Sequence, residues 1–188
     1  PGTGAYTKTA GDLTSQNLTV GSNGGNGTFT MSGPGTTTVG NPADINHGLF
    51  VGARADNVAV PASTSGTVNV DGGTLNVNGW VELGRGGQGT VNVTGAGSVL
   101  NSYGGKDFQV GMDAGGVGAL NITGGGKMSH NWWINVARGG GSTGTLSVEG
   151  AGSEVSTSAG RIVIGEDGTG TLNVADGGKV IHNSGDRF

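Results

Sequence analysis

The sequence predicts an all-β chain: a parallel β-helix, a solenoid of about six coils with three short strands in each. Three observations predict it. A five-residue tract, Gly-Thr-Val-Asn-Val or a close variant, returns at Gly27–Met31, Gly66–Val70, Gly89–Val93, Gly118–Ile122, Gly144–Val148 and Gly170–Val174. Successive copies start 39, 23, 29, 26 and 26 residues apart, a period that marks a stacked supersecondary unit. Glycine supplies 44 of 188 residues and proline only 4, without a three-residue glycine period, so the chain has many corners and is not collagen.

One coil is read most clearly near the C-terminus. In Gly144-Thr145-Leu146-Ser147-Val148 polar and apolar residues alternate, which points Leu146 and Val148 inward and Thr145 and Ser147 outward. The turn Glu149-Gly150-Ala151-Gly152 leads to a second strand, Ser153–Ser156. Another turn at Ser158-Ala159-Gly160 leads to a third, Arg161–Gly165, and Glu166–Thr169 returns the chain to the next tract. The second strand recurs at Thr37–Val39, Thr74–Val77, Ser98–Leu100, Lys127–Met128 and Lys179–Ile181. The third recurs at Leu18–Gly21, Leu49–Gly52, Trp80–Gly84, Phe108–Gly111 and Ile134–Ala137.

Strands at this spacing also suit an antiparallel sandwich. Recurrence of like residues at three-strand intervals favours the solenoid, where each strand stacks on its own counterpart. The third tract position is Phe29, Val68, Val91, Leu120, Leu146 and Leu172; the fourth is Thr30, Asn69, Asn92, Asn121, Ser147 and Asn173. With nine aromatic residues in all, the core is expected to be narrow and aliphatic. Six coils separated by about 4.8 Å make a rod roughly 30 Å long.

Residues 1–16 read as an N-terminal lead-in or partial cap, and residues 17–188 as the β-helix, part of a longer rod. The long first interval places extra loops at Asn41–Gly48 and Arg54–Ser65, and the third places one at Asn101–Lys106. His182–Phe188 does not read as a cap. Bare coil ends expose strand edges, so either the rod continues or the ends stack on other molecules.

The formal net charge is −4, and the nine Lys and Arg residues are scattered singly. No basic stripe is present to neutralise a phosphate backbone, so nucleic acid is not an expected partner. Without cysteine there is neither a disulfide framework nor a thiolate metal site. No apolar run is long enough for a membrane-spanning helix. No cofactor or metal is expected: the three histidines, His47, His130 and His182, fall in loop-like segments without ligand spacing. The corners at Asp71 and Asp176 lack the regular aspartates of calcium-binding glycine repeats.

Gly89–Leu100 (GTVNVTGAGSVL), Gly144–Val155 (GTLSVEGAGSEV) and Ile164–Val180 carry a pattern that resembles the repeat of secreted autotransporter passenger domains and of certain exported proteins with a C-terminal sorting signal. The resemblance covers about Leu18 to Ile181. It implies a right-handed parallel β-helix displayed outside a bacterial cell, at the surface or secreted. It names neither an enzyme nor a receptor, and the barrel or sorting helix of those families does not follow in this sequence.

Glycoside cleavage needs two carboxyl groups held at a set separation. Glu82 and Asp107 sit in or beside the third-strand column, while Asp113, Glu166 and Asp167 lie in the corner before the tract. Solvated corner acids are the expected state, and no catalytic residue is assigned. The candidate binding residues are the aromatics Trp80, Tyr103, Phe108, Trp132 and Trp133. Adjacent Trp132 and Trp133 point to opposite faces if both are in a strand. Trp80, Phe108 and Trp132 are expected to form an aromatic ladder on consecutive coils, suited to sugar rings or to another protein.

The expected function is that of a structural or adhesive surface rod, not an enzyme, with itself or host and matrix glycans as partners. A polysaccharide-binding or polysaccharide-degrading β-helix is the first alternative and a phage fibre segment the second. A fibre trimer would require an outward apolar seam, whereas Thr and Asn occupy much of the outward face.

Overall fold

A computed structural model describes residues 2–44, 46–54, 56, 60–183 and 185. Parts of the two loops of the first long interval and most of the last five residues therefore lie outside the described residues. The chain winds as a right-handed parallel β-solenoid. Coil 1 holds β1 (Thr3–Lys8), β2 (Leu13–Ser15) and β3 (Leu18–Val20). Coil 2 holds β4 (Asn26–Met31), β5 (Thr36–Val39) and β6 (Gly48–Val51). Coil 3 holds β7 (Ser65–Val70), β8 (Thr74–Val77) and β9 (Trp80–Arg85). Coil 4 holds β10 (Gln88–Thr94), β11 (Val99–Ser102) and β12 (Phe108–Met112). Coil 5 holds β13 (Val117–Thr123), β14 (Lys127–His130) and β15 (Ile134–Val136). Coil 6 holds β16 (Thr143–Glu149), β17 (Glu154–Thr157) and β18 (Ile162–Ile164), and coil 7 holds β19 (Thr169–Ala175) and β20 (Lys179–His182).

The first strands of the coils form one 7-stranded sheet, the second strands another, and the third strands a 6-stranded sheet. Seven coils are present where about six were expected. The additional one lies in the segment read as a lead-in: Gly4-Ala5-Tyr6-Thr7-Lys8 pairs residue for residue with Gly27–Met31. It is a degenerate tract, with Lys8 turned inward where every later copy has Met, Val or Ile.

The core is a set of stacked columns. In the first sheet Phe29, Val68, Val91, Leu120 and Leu146 are buried in one column, and Met31, Val70, Val93, Ile122 and Val148 in the next. Leu75, Leu100, Met128 and Val155 continue the core on the second sheet, and Leu49, Val81, Phe108, Ile134 and Ile162 on the third. Each fully buried side chain of this kind contributes roughly 1.5–3 kcal/mol. Outside the first sheet runs an amide ladder, in which Asn92 Nδ2 donates to Asn69 Oδ1 at 2.8 Å and Asn121 Nδ2 to Asn92 Oδ1 at 2.9 Å. The tract glycine is demanded by close approach: a Cβ on Gly89 would lie 2.1 Å from the Val51 carbonyl oxygen and 2.4 Å from the Gly84 nitrogen.

Candidate functional site: the outer face of the third sheet

The outward side chains of the first two sheets are mostly Asn, Ser and Thr that satisfy one another along the stack. Those of the third sheet are not repetitive. Alternation in β9, β12 and β15 sends Val81, Leu83, Phe108, Val110, Ile134 and Val136 inward, and the register then stacks Phe50, Glu82, Gln109, Asn135 and Val163 on the outside. Although outward, Phe50, Glu82, Gln109 and Asn135 are buried.

Two ion-paired clusters accompany this column. Arg85 Nη2 donates to Glu82 Oε1 at 2.7 Å and approaches Met112 Sδ at 3.1 Å, and Arg85 Nη1 lies 4.0 Å from Asp113 Oδ2. Asp107 Oδ2 accepts from Gln109 Nε2 at 3.0 Å, Asn135 Nδ2 at 3.3 Å and Arg138 Nη1 at 3.1 Å, while Arg138 Nε lies 3.5 Å from Glu166 Oε2. The Asp107 carboxylate thus ties together coils 4 and 5. Burial pushes the Glu82 carboxyl above its ordinary range and outweighs the opposing Arg85 ion pair. Burial also raises Asp107, against Arg138, Asn135, Gln109 and Lys106. Glu82 Oε2, Gln109 Oε1 and Asn135 Oδ1 are buried without a hydrogen-bond partner among the described residues.

Glu82 and Asp107 are therefore not solvated carboxylates, whereas the corner acids Asp113 and Glu166 are partly or largely exposed, as expected from the sequence. Glu82 is also out of reach of a solvent-borne substrate as it stands. Glu82 has no exposed surface, and a general acid must come within hydrogen-bond reach of the bond it protonates.

The aromatic residues are arranged differently from the expected ladder. Phe108 is in the core, in register with Val81 and Ile134, and its ring meets the His130 ring edge-on at 5.8 Å. It presents no outer surface, so the binding role expected of it is corrected to a packing role. The same register, taken one residue back, aligns Trp80, Asp107, Trp133 and Arg161 on coils 3 to 6. Trp133, not Trp132, therefore shares the Trp80 column. Trp132 and Trp133 lie in the turn before β15, not in a strand, with Trp132 44% exposed and Trp133 half-buried. Lys106 Nζ sits 5.1 Å from the centre of the Trp80 ring, and the Arg161 guanidinium 5.2 Å from that of Trp133. Tyr103 is exposed in the loop after β11, its hydroxyl 3.3 Å from Asn101 Oδ1.

His130 is also placed differently. It lies in β14, not a loop, and points into the core. Its Nδ1 is 3.0 Å from the Ser102 carbonyl oxygen and its Nε2 3.0 Å from that of Trp133. Burial lowers its pKa to about 4, against those two backbone contacts. The His130 column runs from Val39 and Val77 into Ser102, His130 and Thr157, polar residues whose side chains and immediate chain neighbours give no apolar signal in sequence.

Both ends carry apolar surface. At the N-terminal end Tyr6, Leu13, Leu18, Val20 and Phe29 line an open concavity of about 620 Å³. At the other end Val174 is 47% exposed and Leu172 and Val180 are half-buried, although all three occupy core columns. Among the described residues no three His, Asp or Glu side chains gather to hold a metal ion, and no helix is long and apolar enough to cross a membrane. Comparison with protein-family models, curated proteins and solved structures finds no match to this chain.

Proposed function

We propose that this chain is a structural and adhesive rod module of a bacterial surface or secreted protein, built to be extended at its ends. The carrying observation is that no described residue covers the inward columns of the first and last coils: Tyr6, Leu13 and Leu18 on one, Leu172, Val174 and Val180 on the other. The two sets belong to a common system of columns, so coil 7 of one molecule presents to coil 1 of the next the kind of surface that each internal coil presents to its neighbour. Such a contact is heterologous and propagates into a filament one rod wide. The resemblance of the GTVNV repeat to passenger-domain repeats supports display outside the cell. The inaccessibility of Glu82 supports a non-enzymatic role, and the Asn/Ser/Thr ladders on two outer faces support a single rod over an intertwined phage-fibre trimer.

Sedimentation velocity over a wide concentration range, with electron microscopy of the same samples, tests the reading. End-to-end species that lengthen with concentration and are lost in Val174→Lys are expected. A strictly monomeric protein, or aggregates thickened by side-to-side contact, would overturn it.

A further inference from the structure

The outer face of the third sheet has properties that a plain spacer does not need. Along one edge, coils 3 to 6 place Trp80, the adjacent pair Lys106 and Asp107, Trp133, and Arg161. Aromatic and charged residues therefore alternate, one coil apart, with a step of about 4.8 Å, and on coil 4 the cation Lys106 flanks the column position held by Asp107. Each cation reaches back over the indole of the preceding coil, at 5.1 Å for Lys106 on Trp80 and 5.2 Å for Arg161 on Trp133.

Neither Lys106 nor Arg161 has an ion-pair partner within 4.0 Å among the described residues. The one carboxylate within this column, Asp107, is hydrogen-bonded by Gln109, Asn135 and Arg138 and also feels the charge of Lys106. Lys106 acts electrostatically on the Asp107 beside it, whereas no carboxylate among the described residues is in reach of Arg161, so the edge offers its freest positive charge at Arg161, on a chain whose formal net charge is −4. Exposed Trp132 adds a further ring beside Trp133.

We propose that this edge binds an acidic oligosaccharide, a chain of pyranose rings bearing carboxylates, laid along the rod axis. The apolar C–H face of a sugar ring stacks on an indole. Its carboxylate pairs with the Lys106 ammonium or the Arg161 guanidinium. The alternation fits a polymer in which ring faces and carboxylates recur together. The ligand class rests on the rod reading only in that the rod displays the edge; binding and end-to-end growth are separable.

Tryptophan fluorescence and calorimetric titration of the full chain test this, with a hexauronate as probe and a neutral hexaglucan of equal length as control. Saturable binding of the hexauronate that weakens with salt is expected, with little binding of the neutral chain. Arg161→Ala and Lys106→Ala, both surface changes, should each weaken binding about tenfold, the effect of losing one charge-assisted contact. Lys179→Ala, on the second sheet, should leave it unchanged. Equal binding of the neutral chain, undiminished affinity in both surface variants, or tighter binding of a single-stranded oligonucleotide would overturn the proposal. Sedimentation of the same samples reads filament growth independently, so a loss of one property is not mistaken for a loss of the other.

Discussion

Glu82 and Gln109 are register partners on successive coils, and each holds a buried acceptor oxygen, Oε2 and Oε1, that no described residue satisfies. A proton on Glu82 removes one of these two unmet acceptors. Protonation of Glu82 turns Oε2 into a donor while Oε1 still accepts from Arg85. The raised pKa of Glu82, caused chiefly by burial, has the same sense. A carboxyl raised in the folded state contributes stability below its unfolded pKa and loses it as pH rises through the folded value. Acidification from neutrality should therefore strengthen this site. In Glu82→Gln the gain at this site should vanish, while Asp107, raised in the same direction, keeps its own share. Urea unfolding at pH 7 and pH 5 measures it; an unchanged pH slope in the variant would refute the assignment.

His130 should act with the opposite sign. A neutral imidazole donates through one nitrogen only, yet both nitrogens face carbonyl oxygens at 3.0 Å. Burial still wins, and the pKa falls from 6.5 to about 4. A depressed value means stability present above the unfolded pKa and lost as pH falls from about 6.5 toward 4, by about 3 kcal/mol in all. Replacing His130 with Asn should reduce the difference in unfolding free energy between pH 7 and pH 4 by about that amount. If the two proteins lose stability in parallel, the imidazole is not the group responsible.

The amide ladder should be worth most at its centre. Asn92 donates to Asn69 and accepts from Asn121 at 2.8 and 2.9 Å. Asn92→Ala breaks both bonds and should cost about 1–2 kcal/mol in chemical denaturation. Asn173, at the exposed end with one contact of 3.3 Å, should cost less than about 0.5 kcal/mol. Equal costs at the two positions would mean that the ladder does not act through its hydrogen bonds.

Glycines should sort by what surrounds them. Gly89→Ala drives a methyl into the Val51 carbonyl and should destabilise by on the order of 3 kcal/mol or prevent folding. Gly140 has open space at its Cβ position and no positive φ, so Gly140→Ala should be neutral or slightly stabilising. Thermal melts of the two variants side by side decide the matter.

The solenoid was legible because the tract is repeated in both residue type and alternation, and stacking like on like requires both. The first coil was less legible because Tyr6 and Lys8 replace the aliphatic pair of the tract. Phe108 was assigned to the wrong face by a shift of a single residue against Trp80, and in a strand one residue exchanges inside for outside. The burial of Glu82, Gln109 and Asn135 was hidden for a different reason. Alternation identifies them as outward, and only the three-dimensional positions of Arg85, Asp107 and Arg138 show how far the polar groups around them draw together.

All the strand pairings within the three sheets are parallel and link one coil to the next, so the backbone hydrogen bonds run along the rod, end to end. Tension applied at the two termini therefore meets them a few at a time, as the outermost coil peels from its neighbour, and does not shear whole sheets at once. Each released coil pays out about twenty residues or more of slack before the next is loaded. Under a pull the molecule should behave as a stepwise shock absorber, stiff until an end lets go and then yielding coil by coil from that end inward.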